Sequence, residues 1–371
     1  MHLCEVKERM CDFDIGRRNL PDLFRFSDGK TVTDELEWQV RRREIKEIIC
    51  GHEYGRFPPE PLLTEYETLE RDERFCAGKV TLTKVLLESK LPQGDFSFPV
   101  YCAVPKSDSP LPAFVHINFR ADVPDKYMPT EEICDNGFAV FSFCYTDVTS
   151  DDGDFSSGLA GVLFQSGERE PDSAGKIALW SWAAMRVMDY LQTLESIDLR
   201  NVAVIGHSRL GKTSLLTGAF DDRFAFTFSN DSGCGGAAIS RNKTGETIEK
   251  ICGNFPYWFC ENFRQYAGNE ENMPFDQHFL SSLIAPRGAY IASAEQDLWA
   301  DPVSEFLGCV AAGRVYSLYG KTGFVSSGKL PEPGETLHDG SIGYHLRKGT
   351  HYLGRYDWQK YMEYIKKHMN Q

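Results

Sequence analysis

Over the C-terminal two thirds of the chain, short unbroken apolar runs alternate with stretches whose apolar residues recur at helical spacing. That alternation predicts strands joined by helices. Ala113 to Phe119 and Phe138 to Cys144 are apolar runs of the kind buried in a parallel sheet. Ahead of them, Lys79 to Leu87 and Ser97 to Val104 flank Gly94-Asp95 and suit an antiparallel hairpin at the sheet edge. A helix from Ala174 to about Leu194 puts Ile177, Trp180, Ala184, Val187 and Leu191 on one stripe, with Asp172 or Ser173 available to cap it. Beyond it the pattern predicts a strand running into Gly206 and a helix over Leu210 to Ala219. Strands over Phe224 to Phe228, Ala289 to Ala294 and Val315 to Tyr319 follow, then a last helix from Asp357 to His368. This order implies an α/β fold on a doubly wound, mostly parallel sheet, with its site at the carboxyl ends of the strands.

Residues 1–75 read differently, being richer in charge and proline. Glu35 to Ile49 forms one amphipathic helix with Trp38, Ile45 and Ile49 on a shared face, and Tyr54-Gly-Arg-Phe-Pro-Pro-Glu-Pro61 is a proline-stiffened connector. The expected organisation is an N-terminal helical arm over 1–75, packed on a catalytic domain over 76–371.

Composition narrows the function. With 371 residues, 42% hydrophobic and 13% aromatic, the chain can bury a large core. A net charge of −14 without a long Lys/Arg block excludes nucleic acid as an expected partner. No apolar run reaches the roughly eighteen residues of a membrane span, and Met1 to Met10 is too charged for a signal-peptide core. The 11 cysteines are an odd, scattered set without a CxxC pair, so they read as reduced thiols in a cytoplasmic protein and not as a disulfide framework or a zinc site. The acidic loop Asp147 to Phe155 is long enough to rim a site, and its carboxylates offer a place for a cation; a solvated surface loop is the commoner outcome.

The stretch Val202-Ala-Val-Ile-Gly-His-Ser-Arg-Leu-Gly-Lys-Thr213 carries the chemistry, and it has two readings. Gly206 followed at the right spacing by Gly211-Lys212-Thr213 fits the phosphate-loop pattern of a nucleotide-binding protein. That reading also needs a Mg²⁺-binding aspartate at the end of a nearby apolar strand, and Asp231 follows a run, Phe226 to Asn230, that is only half apolar. The other reading is an esterase elbow, a buried strand turning sharply to raise Ser208 as nucleophile. It requires an acid and then a histidine downstream, which the chain supplies. Asp297 follows the strand Tyr290 to Ala294, and His351 precedes the last helix. Three carboxylates remain open as the acid, Asp297 first, Asp231 second and Glu295 third. His338 and His345 compete with His351 for the base, and the histidines at 116, 207 and 278 read as structural. Leu210 stands where an elbow normally has its second glycine, so close packing there must use another residue. This chemistry calls for no cofactor and no metal.

At these residues a resemblance becomes specific. Gly206-His-Ser-Arg-Leu-Gly-Lys212, Ser229-Asn-Asp-Ser-Gly-Cys-Gly-Gly236, Phe255-Pro-Tyr-Trp-Phe259, Leu283-Ile-Ala-Pro-Arg287 and Ser293-Ala-Glu-Gln-Asp-Leu-Trp-Ala-Asp-Pro302 resemble the glucuronoyl esterase family over about residues 100 to 365. The resemblance implies an α/β-hydrolase fold and a serine carbohydrate esterase cleaving esters of 4-O-methylglucuronic acid. His207 stands where the family's best-known members carry cysteine. That histidine form also occurs in relatives described as acetylxylan esterases, which leaves a sugar acetyl ester as the alternative substrate. Elbow geometry makes the Arg209 N–H one oxyanion donor and the loop at Phe119 and Arg120 the source of the second; the resemblance implies that the Arg209 side chain also faces the developing charge, with a structural salt bridge to a loop carboxylate as the equal alternative. It further implies substrate contacts from Lys212, Glu261, Trp258 and Trp299.

Overall fold

The computed structural model describes residues 15–369. Cys4, Cys11 and the charged N-terminal ten residues lie outside them. The core is a ten-stranded sheet in the order β1-β2-β3-β5-β4-β6-β7-β8-β10-β9. Its strands are β1 Leu63–Phe75, β2 Val80–Leu91, β3 Gly94–Pro105, β4 Leu111–Asn118, β5 Ala139–Cys144, β6 Ile197–His207, β7 Phe226–Asn230, β8 Gly288–Ala294, β9 Thr336–Leu337 and β10 Ile342–Arg347. The run from β5 through β4, β6, β7 and β8 to β10 is parallel, while β1, β2, β3 and β9 pair antiparallel at the two sides. The central strands are buried on both faces, which is why they read as unbroken apolar runs.

The longer helices are α1 Glu35–Ile49, α2 Lys176–Leu191, α3 Arg209–Phe220, α4 Pro302–Gly313 and α5 Arg355–His368. Val202 and Val204 of β6 point to one apolar layer, which also holds Trp180 and Ala184 of α2, Leu215 of α3 and Phe306 of α4. Ala203 and Ile205 point to the other, filled by Trp358, Tyr361 and Ile365 of α5. The side-chain alternation of β6 therefore joins both layers, and its carboxyl end emerges at the middle of the sheet.

Three elements depart from expectation. Arg314–Tyr319 is a 3₁₀ helix and not a strand, with Val315 and Tyr316 buried and Gly313 and Gly320 at its ends. A short apolar run bounded by glycines does not by itself distinguish the two. The strand at that side of the sheet is β10, whose Gly343 and His345 hide it from an apolar-run search. At the other side, β1 falls within the charged stretch expected to be an N-terminal arm, yet it pairs along most of its length with β2, so the chain passes residue 75 inside an antiparallel pair. α1 packs on the main core through Trp38, Ile45 and Ile49, as its stripe requires.

Candidate active site

The turn from β6 to α3 is sharp because its backbone is forced. Ser208 has φ 58° and ψ −126°, a sparsely populated conformation for a residue with a side chain, costing about 1–3 kcal/mol. Its N–H donates to the Asn230 carbonyl at 2.9 Å, which fixes the turn to β7. A Cβ at Gly206 would lie 2.0 Å from the Leu210 carbonyl oxygen, so glycine is required there. Leu210 itself is buried in the core, and the close approach expected of it falls to Gly211, where a Cβ would stand 2.9 Å from the Asn230 carbonyl oxygen.

His351 and Asp297 arrive from two separate loops, after β10 and β8. His351 Nδ1 and Asp297 Oδ2 are 2.6 Å apart, and the His351 ring lies against His207 with centroids 4.4 Å apart. Burial tends to raise the Asp297 pKa, but the hydrogen bond and charge of His351 outweigh it and hold the carboxyl below its ordinary value. Asp297 also accepts from the Ala300 N–H at 3.2 Å. Asp297 is thus the carboxylate bonded to His351 among the three ranked. Asp231 accepts from Arg347 Nη2 at 3.2 Å and from the Tyr352 N–H at 3.3 Å; Glu295 accepts from the Gly349 N–H at 3.4 Å. Asp231, Asp297 and His351 bring ligand-type atoms within 4.8 Å of one another. The Arg347 guanidinium already supplies a cation to Asp231, and His351 Nδ1 is engaged by Asp297, so the hydrogen-bonded arrangement accounts for the cluster.

The competing histidines are committed elsewhere. His345 is fully buried between Tyr290 Oη (3.0 Å) and Asp357 Oδ1 (2.9 Å), and His338 Nε2 meets the same tyrosine at 2.7 Å. His207 is buried with Nδ1 2.6 Å from Asn230 Oδ1, and burial, reinforced by His351, lowers its pKa to about 3. Its ring is neutral packing beside Ser208. His116 is lowered to about 3 by burial, and His278 is 3.0 Å from the Pro21 carbonyl oxygen.

Arg209 occupies the first position of α3, where a helical N–H has no intrahelical partner. The Phe119 N–H donates to Asn118 Oδ1 at 2.8 Å, and the exposed Arg120 pairs with Asp122 at 2.5 Å. The Arg209 side chain pairs with Asp151 of the acidic loop. Within that loop Lys176 Nζ donates to Thr149 Oγ1 (2.8 Å), Ser150 Oγ (3.3 Å) and the Asp154 carbonyl (2.5 Å).

Lys212 is buried, donating to the Ser232 carbonyl at 2.5 Å and lying 3.8 Å from Glu246. A lysine so engaged, beside a serine whose carbonyl caps the Gly211 and Lys212 amides, leaves no phosphate cradle, which removes support for the nucleotide reading. Glu246 supplies the carboxylate at Lys212; Glu261 is exposed on a separate 3₁₀ helix. Trp258 is buried and stacked on Phe255 at 3.9 Å, whereas Trp299 is 50% exposed two residues past Asp297, with Lys250 Nζ 5.0 Å from its ring centre.

The family model for glucuronyl esterases of fungi matches residues 90–320. The chain belongs to the glucuronoyl esterase family. This esterase is 34% identical over 397 aligned positions to Carbohydrate esterase MZ0003 from an unknown prokaryotic organism, covering 96% of this chain and 90% of that protein. It is 31% identical to the 4-O-methyl-glucuronoyl methylesterase of Thermothelomyces thermophilus, covering 82% of this chain and 74% of the relative. Among solved structures, the glucuronoyl esterase from Solibacter usitatus superposes with a TM-score of 0.87 at 34% identity, over 94% of this chain and 97% of that one. The chain is accordingly a carboxylic ester hydrolase with the α/β-hydrolase fold. Sequence reading missed Glu246 and Asn230, and it left Asp151 as one unnamed carboxylate of the acidic loop, to which a salt bridge from Arg209 was an open alternative. Of the two missed residues, the sequence carried a signal only for Asn230, which ends a strand immediately before Asp231.

Proposed function

We propose that this esterase hydrolyses esters of a uronic acid of the 4-O-methylglucuronate type through an acyl-enzyme on Ser208. The observation that carries the reading is the His351–Asp297 pair at 2.6 Å, its imidazole laid against His207, the residue before a strained serine. With Nδ1 committed to Asp297, Nε2 is the nitrogen left to accept the Ser208 Oγ proton. Oγ forms a bond to the ester carbonyl carbon, and negative charge gathers on the carbonyl oxygen near the free amide and side chain of Arg209. Collapse breaks the bond to the alcohol oxygen, which leaves with the proton from His351. Water then adds its oxygen to the acyl carbon and gives a proton to His351; the bond from that carbon to Ser208 Oγ breaks, Oγ takes the proton back from His351, and the uronate is released.

The names of the relatives support the substrate class: one is a 4-O-methyl-glucuronoyl methylesterase and another a glucuronoyl esterase. Trp299 supplies the exposed aromatic face that suits the C–H side of a pyranose. The described cysteines are all free, which supports a reducing compartment and small imported esters as substrates. The test is hydrolysis of methyl glucuronate against an acetylated xylo-oligosaccharide. Release of methanol that Ser208→Ala abolishes is expected; preferred release of acetate would overturn the uronate assignment.

A further inference from the structure

Asp151 sits on the loop between β5 and α2, in a stretch that sequence marks only as acidic, and its carboxylate is a hub. Oδ2 accepts from Arg209 Nη1 and from the Tyr145 hydroxyl (2.9 Å); Oδ1 accepts from Trp258 Nε1 (2.7 Å). Its backbone carbonyl accepts from the Tyr257 hydroxyl at 3.0 Å. The buried Lys176 ties down Thr149, Ser150 and Asp154 on either side of it, so the hub is fixed to α2 and does not depend on a free loop. Arg209 is thereby held from two directions. Its guanidinium carbon lies 4.7 Å from the Trp258 ring centre, and one nitrogen is bound by Asp151, while the buried Nε has no hydrogen-bond partner.

A guanidinium next to a nucleophilic serine has opposing effects on an esterase whose product is an acid. It favours the oxyanion that develops from a neutral ester, and it also grips the carboxylate that hydrolysis leaves behind, above all when both terminal nitrogens are free for a bidentate fork. We propose that Asp151 is a positioning residue that resolves this conflict. It holds Arg209 beside Ser208 and, by occupying one arm of the fork and offsetting its charge, keeps the site from retaining the uronate product. This rests on Ser208 being the nucleophile for a uronate ester. Asp151 touches neither Ser208 nor His351 through any hydrogen bond in this structure, so its effect runs through Arg209.

Asp151→Asn is the informative change, because an amide oxygen still serves Trp258 while the amide nitrogen cannot accept from Arg209. With methyl glucuronate as substrate and free glucuronate as inhibitor, D151N is expected to lower kcat about tenfold with KM little changed, and to tighten glucuronate inhibition about tenfold. Asp151→Glu should restore kcat to within about threefold and relieve the inhibition, and it carries the test if D151N folds poorly. In an Arg209→Ala background D151N should have no further effect on either quantity. Equal losses in both backgrounds, unchanged product inhibition, or D151E as impaired as D151N would overturn the proposal. Wild-type kcat in R209A would overturn it as well. Methanol release surviving in Ser208→Ala would instead bring down the nucleophile assignment.

Discussion

Two His–Asp pairs, whose histidines His345 and His351 stand only a few residues apart in the chain, have opposite surroundings. His351 pairs with Asp297 at 2.6 Å, with the imidazole 43% exposed and only Nδ1 engaged by a hydrogen bond. His345 pairs with Asp357 at 2.9 Å, both wholly buried, with the second imidazole nitrogen closed by Tyr290. Arg347 links the two regions, donating to Asp357 through Nε and to Asp231 through Nη2. The two pairs share the same chemistry. What separates a base from a structural cross-link is a nitrogen left open beside a nucleophile.

The comparison breaks most visibly on activity. His351→Ala should lower kcat by about 10³–10⁴-fold, as loss of a triad member does elsewhere, with the thermal unfolding midpoint nearly unmoved, since that imidazole is exposed at the site mouth. Asp297→Asn should follow with a loss of about 10³-fold, because the amide no longer holds the tautomer that leaves Nε2 basic. Steady-state kinetics on methyl glucuronate with matched melting curves checks both. A His351→Ala enzyme that keeps turnover would hand the base role to another histidine.

The closed pair should fail in the other direction. Asp357→Asn leaves His345 and Arg347 without their shared buried carboxylate, at a cost of about 3–5 kcal/mol in stability, while the folded fraction keeps kcat within a few-fold. Burial works to raise the Asp357 pKa, yet the hydrogen bond and charge of His345, with Arg347, hold it below its ordinary value. A lowered folded pKa gives stability that is present above the unfolded carboxylate range, near pH 4, and lost as pH falls through the folded value. The gap between wild type and Asp357→Asn in chemical denaturation should therefore shrink as pH is lowered from 7 toward 3.

Legibility in the sequence followed the reach of each interaction. The elbow was readable because strand, turn and helix are consecutive, and the order Ser208, Asp297, His351 survived because chain order is one-dimensional information. Which carboxylate meets His351 was not readable. Asp231, Asp297 and Glu295 all follow strands that end at the same side of the sheet, and their separation depends on Arg347, on a strand whose Gly343 and His345 interrupt its apolar run. Helix α4, apolar over much of its surface, also escaped, although Asp301 caps it and Pro302 opens it. The Arg209–Asp151 pair joins residues 58 positions apart, so the sequence marks the acidic loop and the arginine but not which loop carboxylate meets it.

The smallest effect tests the residue between the two pairs. Asp231 is buried, with one carboxylate oxygen held by Arg347 and the Tyr352 N–H and the other unpartnered. Burial, then the neighbouring Glu305 and Asp297, raises its pKa well above the ordinary value, against the pull of Arg347. A raised folded pKa means that the native state binds the proton more tightly than the unfolded chain. Any stability tied to that proton is present at acid pH and lost as pH rises toward the folded value. Asp231→Asn keeps an acceptor for the Tyr352 N–H and cannot ionise. Its unfolding free energy should match wild type near pH 4 and exceed it increasingly toward pH 8, with kcat within about threefold because His351 is bonded to Asp297. Denaturant melts across that range, paired with initial rates, decide the matter: a loss of kcat equal to that of Asp297→Asn would make the two aspartates a shared acid and dissolve the distinction between an open pair and its buried neighbours.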